Sequence, residues 1–293
     1  MKNKLYLIIL IFCSIFFSPS VFADEIQFEA ENIETLNENT IIANDNIIVK
    51  DGLDIRIYGK KLIIDKNKKI LTLTDNVIYE DKKNLLKIYT NKLKFDQLIQ
   101  TINTQDKTKI IQNDKYNITG KNFVFDKKKK IISSNQDAEM FDNFGNYMKL
   151  NNFEISLNNN LLKANNVKLI DKSKNIYQIK KLFYDFKKEE ILGKDVIVNE
   201  ENNMSSKKYL PRAKGKALIS KAGITTLKKS VYTNCKKRDG CSPWLLQADE
   251  ISHDEKKKIV NYKNALLKIY DVPVLYFPKF FHPDPTVKRQ SGF

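Results

Sequence analysis

Apolar and polar residues alternate along most of this chain, and the alternation itself repeats. Leu53–Glu80 shows the unit: an alternating arm at Leu53, Ile55 and Ile57, a break at two lysines, and a second arm at Leu62 and Ile64. A polar turn follows at Asp65–Lys69, then an apolar arm at Ile70–Leu73, an Asp-Asn turn at Asp75 and Asn76, and a last arm at Val77–Tyr79. Period-two alternation between clusters of turn residues predicts half-buried β-strands.

Copies of the unit align without gaps near the turn. Leu62, Leu93, Phe123, Phe153 and Leu182 share one slot, and Ile64, Phe95, Phe125, Ile155 and Tyr184 lie two residues on. Asp65, Asp96, Asp126, Ser156 and Asp185 come next, and Ile57, Ile88, Ile118, Met148 and Tyr177 lie five residues before the first slot. The steps between copies are 31, 30, 30 and 29 residues. A degenerate earlier copy fits at Phe28/Ile33, and a later one at Leu246/Ile251/His253/Asp254. Self-similarity at a fixed period signals a stacked architecture, and the internal period of two sets it apart from helical repeats. Short polar turns such as Asp65–Lys69 suit antiparallel neighbours, so the pattern predicts an all-β antiparallel jelly roll made of repeated strand pairs. A parallel β-helix with one coil per repeat is the alternative.

Side chains alternate across a strand, so the two phases of each copy face opposite ways. The slots above are apolar throughout, whereas the position between them holds Ile63, Lys94, Val124, Glu154 and Phe183. The uniform phase is assigned to the lumen: Ile57, Leu62, Ile64, Ile88, Leu93, Phe95, Ile118, Phe123, Phe125, Met148, Phe153, Ile155, Leu182 and Tyr184. Glu25–Ile33 reads as a first strand with an open edge, packing through Ile26, Phe28 and Ala30, and offering its backbone to another chain.

Residues 1–23 read as a secretory signal: Lys2 and Lys4, the apolar run Leu5–Phe17, then Val21-Phe22-Ala23 before Asp24. The repeats divide the remainder into a jelly roll at 24–200 and a region at 201–293 that continues it. No proline falls between Val21 and Leu210, and Pro211–Gly223 breaks the rhythm before a region richer in aromatics and proline. The net charge is +16, and only Arg56, Arg212, Arg238 and Arg289 among the 51 basic residues are arginine. Lysine-rich turns read first as a solvated surface, and second as a face for phosphates or an anionic surface. An exported chain without a recognised binding motif disfavours nucleic acid.

No catalytic constellation emerges, and no cofactor or metal site is expected. The repeated aspartates sit at turn tips, where their side chains bond to nearby backbone. His253 and Asp254 fall on the slots of Ile64 and Asp65, which marks a strand end rather than a base and its orienter. The two histidines, His253 and His282, form no metal-ligand spacing with Cys235 and Cys241. These two cysteines are an even pair in an exported chain, compatible with a disulfide.

Tyr232–Phe293 carries Thr233, Cys235, Trp244, Ile251-Ser252-His253-Asp254, Tyr262-Lys263-Asn264-Ala265, Val272-Pro273-Val274 with Tyr276 and Pro278, Pro283-Asp284-Pro285, Arg289 and Ser291-Gly292-Phe293. This stretch resembles the lipopolysaccharide-assembly outer-membrane protein family (LptD, or organic solvent tolerance protein). The upstream repeats look like that family's OstA-like periplasmic jelly roll, which also occurs in the soluble bridge protein and inner-membrane anchor of the same transport system. The resemblance implies lipopolysaccharide as ligand, its acyl chains held in an apolar groove, with no chemical step. It also implies edge-strand pairing with the bridge protein, a plug lipoprotein where a barrel is present, and a place in the periplasm at the outer membrane. The family's barrel starts just after the Arg-x-Ser-Gly-Phe stretch, and this chain stops at Phe293, so the expectation is the periplasmic part without its barrel, from a fragment or a split gene. The family's cysteine at the position of Cys235 pairs with the barrel, and a local Cys235–Cys241 bridge is the alternative. The competing readings are a soluble bridge protein and a structural or enzymatic β-helix surface protein.

Overall fold

The alternating arms become strands whose lengths follow the spacing of the turn clusters. The computed structural model describes residues 26–200, 212–233, 235, 243–284 and 287. The N-terminal strands are β1 (Gln27–Glu29), β2 (Asn32–Asn37), β3 (Thr40–Asp51), β4 (Ile55–Asp65), β5 (Ile70–Asp81) and β6 (Leu86–Asp96). Shorter pieces follow as β7 (Thr101–Thr104), β8 (Thr108–Gln112), β9 (Tyr116–Gly120), β10 (Val124–Asp126), β11 (Ile131–Ser134) and β12 (Ala138–Asp142). Long strands then resume as β13 (Tyr147–Ser156), β14 (Leu161–Ile170), β15 (Asn175–Asp185), β16 (Glu190–Glu200) and β17 (Arg212–Lys221). The last four are β18 (Ile224–Thr233), β19 (Trp244–Asp254), β20 (Ile259–Ile269) and β21 (Val272–Pro283).

All described strands belong to one 21-stranded sheet, and every pairing in it is antiparallel. The expected all-β antiparallel class holds. A β-helix, whose coils stack in parallel, is excluded. The short strands are halves of single rungs: β6 pairs with β7 through Leu93–Asp96 and with β8 through Leu86–Tyr89. β9 with β10, and β11 with β12, divide the next two rungs in the same way. Each 29- to 31-residue copy is therefore two rungs, one out and one back.

The unbroken rungs bend in the middle. Asp75 and Asn76 have φ of 69° and 56°, and the β4–β5 register shifts between Tyr58 and Lys61. The expectation of a turn at Asp75-Asn76 is thus corrected: this dipeptide does not reverse the chain but kinks β5 and lets it continue. Asn and Asp tolerate the left-handed region, and an extra residue in one strand bends it. The same device recurs at Asp45-Asn46 in β3, Asn166 in β14, Asp195 in β16 and Asn264 in β20. Bending every rung at one level folds the sheet along its length, so the apolar faces of its two halves enclose one core. The turns then form two lips. The first lip carries the β3–β4, β5–β6, β8–β9, β12–β13 and β14–β15 turns. The second carries β4–β5, β6–β7, β10–β11, β13–β14, β15–β16, β17–β18 and β19–β20.

The turn aspartates act as the sequence predicts. Asp65, Asp126 and Asp185 accept backbone N–H bonds from Lys68, Lys129 and Lys188 at 2.9 Å each. Those bonds are the largest cause of carboxyl pKa values below the ordinary range. The expected division near residue 200 falls inside continuous sheet, since β16 bonds to β17 from Glu190↔Lys221 to Asn199↔Arg212. The sequence predicts a break in the rhythm at Pro211–Gly223, yet Arg212–Lys221 is a full rung. Its small residues hid the alternation: Gly215 lies where a Cβ would stand 3.2 Å from Leu227 Cβ.

Candidate functional site

Three rows of side chains run across the folded sheet on its inner face, and each is a slot read from the sequence. Leu62, Leu93, Phe123, Phe153 and Leu182 are at most 2 % exposed. Phe95, Phe125, Ile155 and Tyr184 beside them are equally buried, and Ile64 packs against them half-buried. Ile57, Ile88, Ile118 and Met148 complete the interior. All fourteen residues assigned to the lumen therefore lie on the inner face of one core. The opposite phase faces outward: Lys94 is exposed, and Val124 and Phe183 are each 38 % exposed. Packing is tight at the aromatic positions. Tyr79 meets Phe125 edge-on at 6.0 Å, and Tyr116 meets Tyr184 edge-on at 5.7 Å. Burial pushes the Tyr79 and Tyr184 phenols far above their ordinary range, so both stay neutral.

The rows change character after β16, and this change hollows the interior. The registers link Tyr177, Val198, Ala213 and Tyr232 in one row, so Ala213 takes the slot held earlier by Ile57, Ile88, Ile118 and Met148. A second row runs from Tyr184 through Ile191, Ser220, Thr225 and His253 to Val260 and His282. Serine and two histidines thus replace the Ile, Phe and Tyr of the earlier copies. A small residue in one row and polar ones in the other leave an open cleft of about 110 Å³, lined also by Leu227, Ile251 and Arg212.

The polar end of the cleft is pinned. His253 Nε2 donates to Asp284 Oδ2 at 2.5 Å. His282 Nδ1 donates to the Pro283 carbonyl at 2.6 Å, which leaves Nε2 to accept from the Tyr262 hydroxyl at 3.0 Å. A carbonyl can only accept, so Nδ1 carries a proton in this arrangement. His253 is a strand-end residue as expected, but its carboxylate partner is Asp284. Asp254 instead accepts from the Lys256 and Lys257 backbone. The sequence reading placed Leu246, Ile251 and His253 on a late copy, but missed Ala213, Leu227, Val260 and His282. The signal was available in the fixed offset of five residues before Leu218.

The lips meet over the lumen. Asp51 on the first lip pairs with Lys127 on the second, with side chains 18 % and 12 % exposed. Lys115 pairs with Glu189 at 3.3 Å, and Lys172 with Glu255 at 2.9 Å. Tyr184 donates to Asp142 at 3.1 Å, and Tyr116 to the Phe186 carbonyl at 3.2 Å.

Among the described residues, the sheet ends on two edges. β1 and β2 pair only with β3, and Phe28 packs inward as expected while Ile33 and Leu36 are exposed. β21 pairs only with β20 and exposes Val272, Val274, Tyr276 and Phe281. Cys235 is buried with a free thiol 3.7 Å from the Trp244 carbonyl, and Cys241 lies outside the described residues. The secretory signal and the Arg289 to Phe293 part of the C-terminal motif also lie outside them.

Residues 30–141 match the family model of OstA-like proteins. The chain is 36 % identical over 76 residues to the LPS-assembly protein LptD of Yersinia pestis bv. Antiqua, covering 26 % of this chain and 9 % of that protein. It is 39 % identical over 67 residues to LptD of Legionella pneumophila (23 % and 8 %), and 40 % identical over 67 residues to LptD of Shewanella frigidimarina (23 % and 8 %). The chain thus spans less than a tenth of the length of these curated relatives. A crystal structure of LptH, the LptA-homologous periplasmic component of a lipopolysaccharide transport device from Pseudomonas aeruginosa, aligns over 37 % of this chain and 80 % of its own. Its identity is 20 % and its TM-score 0.34. Residues 30–141 are thus similar to OstA-like proteins, and about a quarter of the chain is similar to the LPS-assembly protein LptD.

Proposed function

We propose that this chain works in lipopolysaccharide transport, holding acyl chains between the two halves of its folded sheet. The observation that carries the reading is the course of the apolar interior: it runs the length of the sheet and opens into the cleft at Ala213, Leu227, Ile251 and Val260. An acyl chain entering such a space gains about 0.8 kcal/mol for each CH2 group removed from water. The charged headgroup stays outside, where the lysine-rich turns of the second lip can meet phosphates as point charges. This role needs no bond to be made or broken. The proposed organisation keeps a signal at 1–23, the roll at 24–200 and its continuation at 201–293, in the periplasm on the inner side of the outer membrane. The β1–β2 edge is proposed to receive the bridge protein by strand addition, with a plug lipoprotein as partner where a barrel follows. The Cys235 thiol, free in this structure, is proposed to join Cys241 in a local bridge on oxidation.

Native mass spectrometry of the purified chain titrated with lipopolysaccharide tests the reading. The expected result is a one-to-one complex that a deacylated lipopolysaccharide does not form. Equal binding of the deacylated form would show that only the basic exterior is engaged.

A further inference from the structure

The contacts between the lips are staggered in a regular way. The β3–β4 turn of the first lip meets the β10–β11 turn of the second, through Asp51 and Lys127. The β8–β9 turn meets β15–β16 through Lys115 and Glu189, and the β14–β15 turn meets β19–β20 through Lys172 and Glu255. In chain order, each partner is the third turn of the second lip to follow its first-lip turn. Every one of these ion pairs joins a lysine to a carboxylate from the other lip, and beneath them lies the row of buried aromatics. The cleft adjoins the last of these pairs, at Asn175, Tyr177 and His253.

We propose that these cross-lip pairs are a gate over the lumen, opened pair by pair from the cleft end as an acyl chain moves along. The proposal rests on the lipid reading above and adds to it the route by which a closed interior is entered. Three observations favour a gate over a permanent seam. The interior residues are packed to near-zero exposure, so an acyl chain has no room until the halves separate. Beside the tyrosine hydrogen bonds to Asp142 and Phe186, the closures are ion pairs, and those with half-exposed side chains, such as Lys115–Glu189, are individually weak. Each opened pair also leaves a lysine at the mouth of the lumen, free to exchange its carboxylate for a lipid phosphate, so that the ligand replaces the contact it breaks. The stagger makes the pairs sequential: each closes over a different stretch of interior.

The test uses the full chain with Cys235 and Cys241 changed to serine. Lys115→Cys and Glu189→Cys are introduced together and joined by a short bismaleimide, with a monofunctional maleimide as control. Photo-crosslinking residues at Phe125, under the seam, and at Val260, in the cleft, report lipopolysaccharide. Joining the lips is expected to lower capture at Phe125 at least tenfold and to leave capture at Val260 unchanged. Equal capture at Phe125 with the lips joined overturns the gate. Capture at Val260 but never at Phe125 overturns the gate and leaves the cleft reading standing, whereas capture at neither site overturns both. A measurement without lipid tests the same claim. The triple variant Asp51→Asn, Glu189→Gln, Glu255→Gln is expected to raise amide hydrogen exchange in β9 and β15 several-fold with an unchanged circular dichroism spectrum. Unaltered exchange would mean that the pairs do not hold the lips, and would overturn the proposal.

Discussion

Tyr184→Ala is expected to cost about 3–5 kcal/mol of stability, read as a large fall in the urea midpoint. Tyr184 is 2 % exposed and touches both halves of the folded sheet. Its ring lies 5.7 Å from Tyr116 and 5.2 Å from Phe186, and its hydroxyl donates to Asp142 across the lips. Removing the ring leaves a cavity that the neighbouring rungs cannot close, because each is fixed by ladders on both sides. Tyr184→Phe separates the ring from the hydroxyl. Asp142 keeps its bonds from the Phe144 and Asn146 backbone and from the Asn146 side chain, so this change is expected to cost only about 1 kcal/mol. A loss below about 1 kcal/mol for Tyr184→Ala would mean that the two halves are not packed together there.

Ala213→Phe should fill the cleft and weaken lipopolysaccharide binding at least tenfold, with the fold retained. The slot accepts large side chains elsewhere, since Ile57, Ile88, Ile118 and Met148 occupy it in earlier copies. The cleft exists because alanine stands there beside Val198 and Tyr232. A ring in this position removes space that an acyl chain would use, and Ala213→Ser serves as the control that leaves the space open. Unchanged affinity in a folded Ala213→Phe protein would place the lipid elsewhere on the sheet.

Much of this architecture could be read from the chain because the repeat is regular and each slot has one physical demand. The inner face was legible at Leu93, Phe95, Phe123 and Phe125, where period-two alternation assigns every second side chain to the core. The direction of the strands was legible from short turns such as Asp65–Lys69. The bends were not. Asp75-Asn76 is a turn dipeptide by composition, and only the pairing on both sides of it shows that β5 continues through the kink. The cleft was hidden for a related reason. Alternation is read from apolar residues, so Ala213, Gly215 and His282 erase the pattern just where the interior opens. The pairing of His253 with Asp284 could not be seen because the two residues lie on different rungs, 31 positions apart. The adjacent Asp254 was the natural partner in sequence, but its side chain is engaged by the turn it begins.

The central claim is that the interior of the folded sheet, rather than its basic exterior, receives the acyl chains. The most direct measurement places photo-crosslinking residues one at a time at Phe95, Phe125, Ile155 and Tyr184 on the inner phase, and at Lys94 and Glu154 on the outer phase, in a transporting assembly. Lipopolysaccharide captured from the inner positions and absent from the outer ones is the predicted result. Equal capture from both phases would show adsorption to the lysine-rich surface, and would contradict the account.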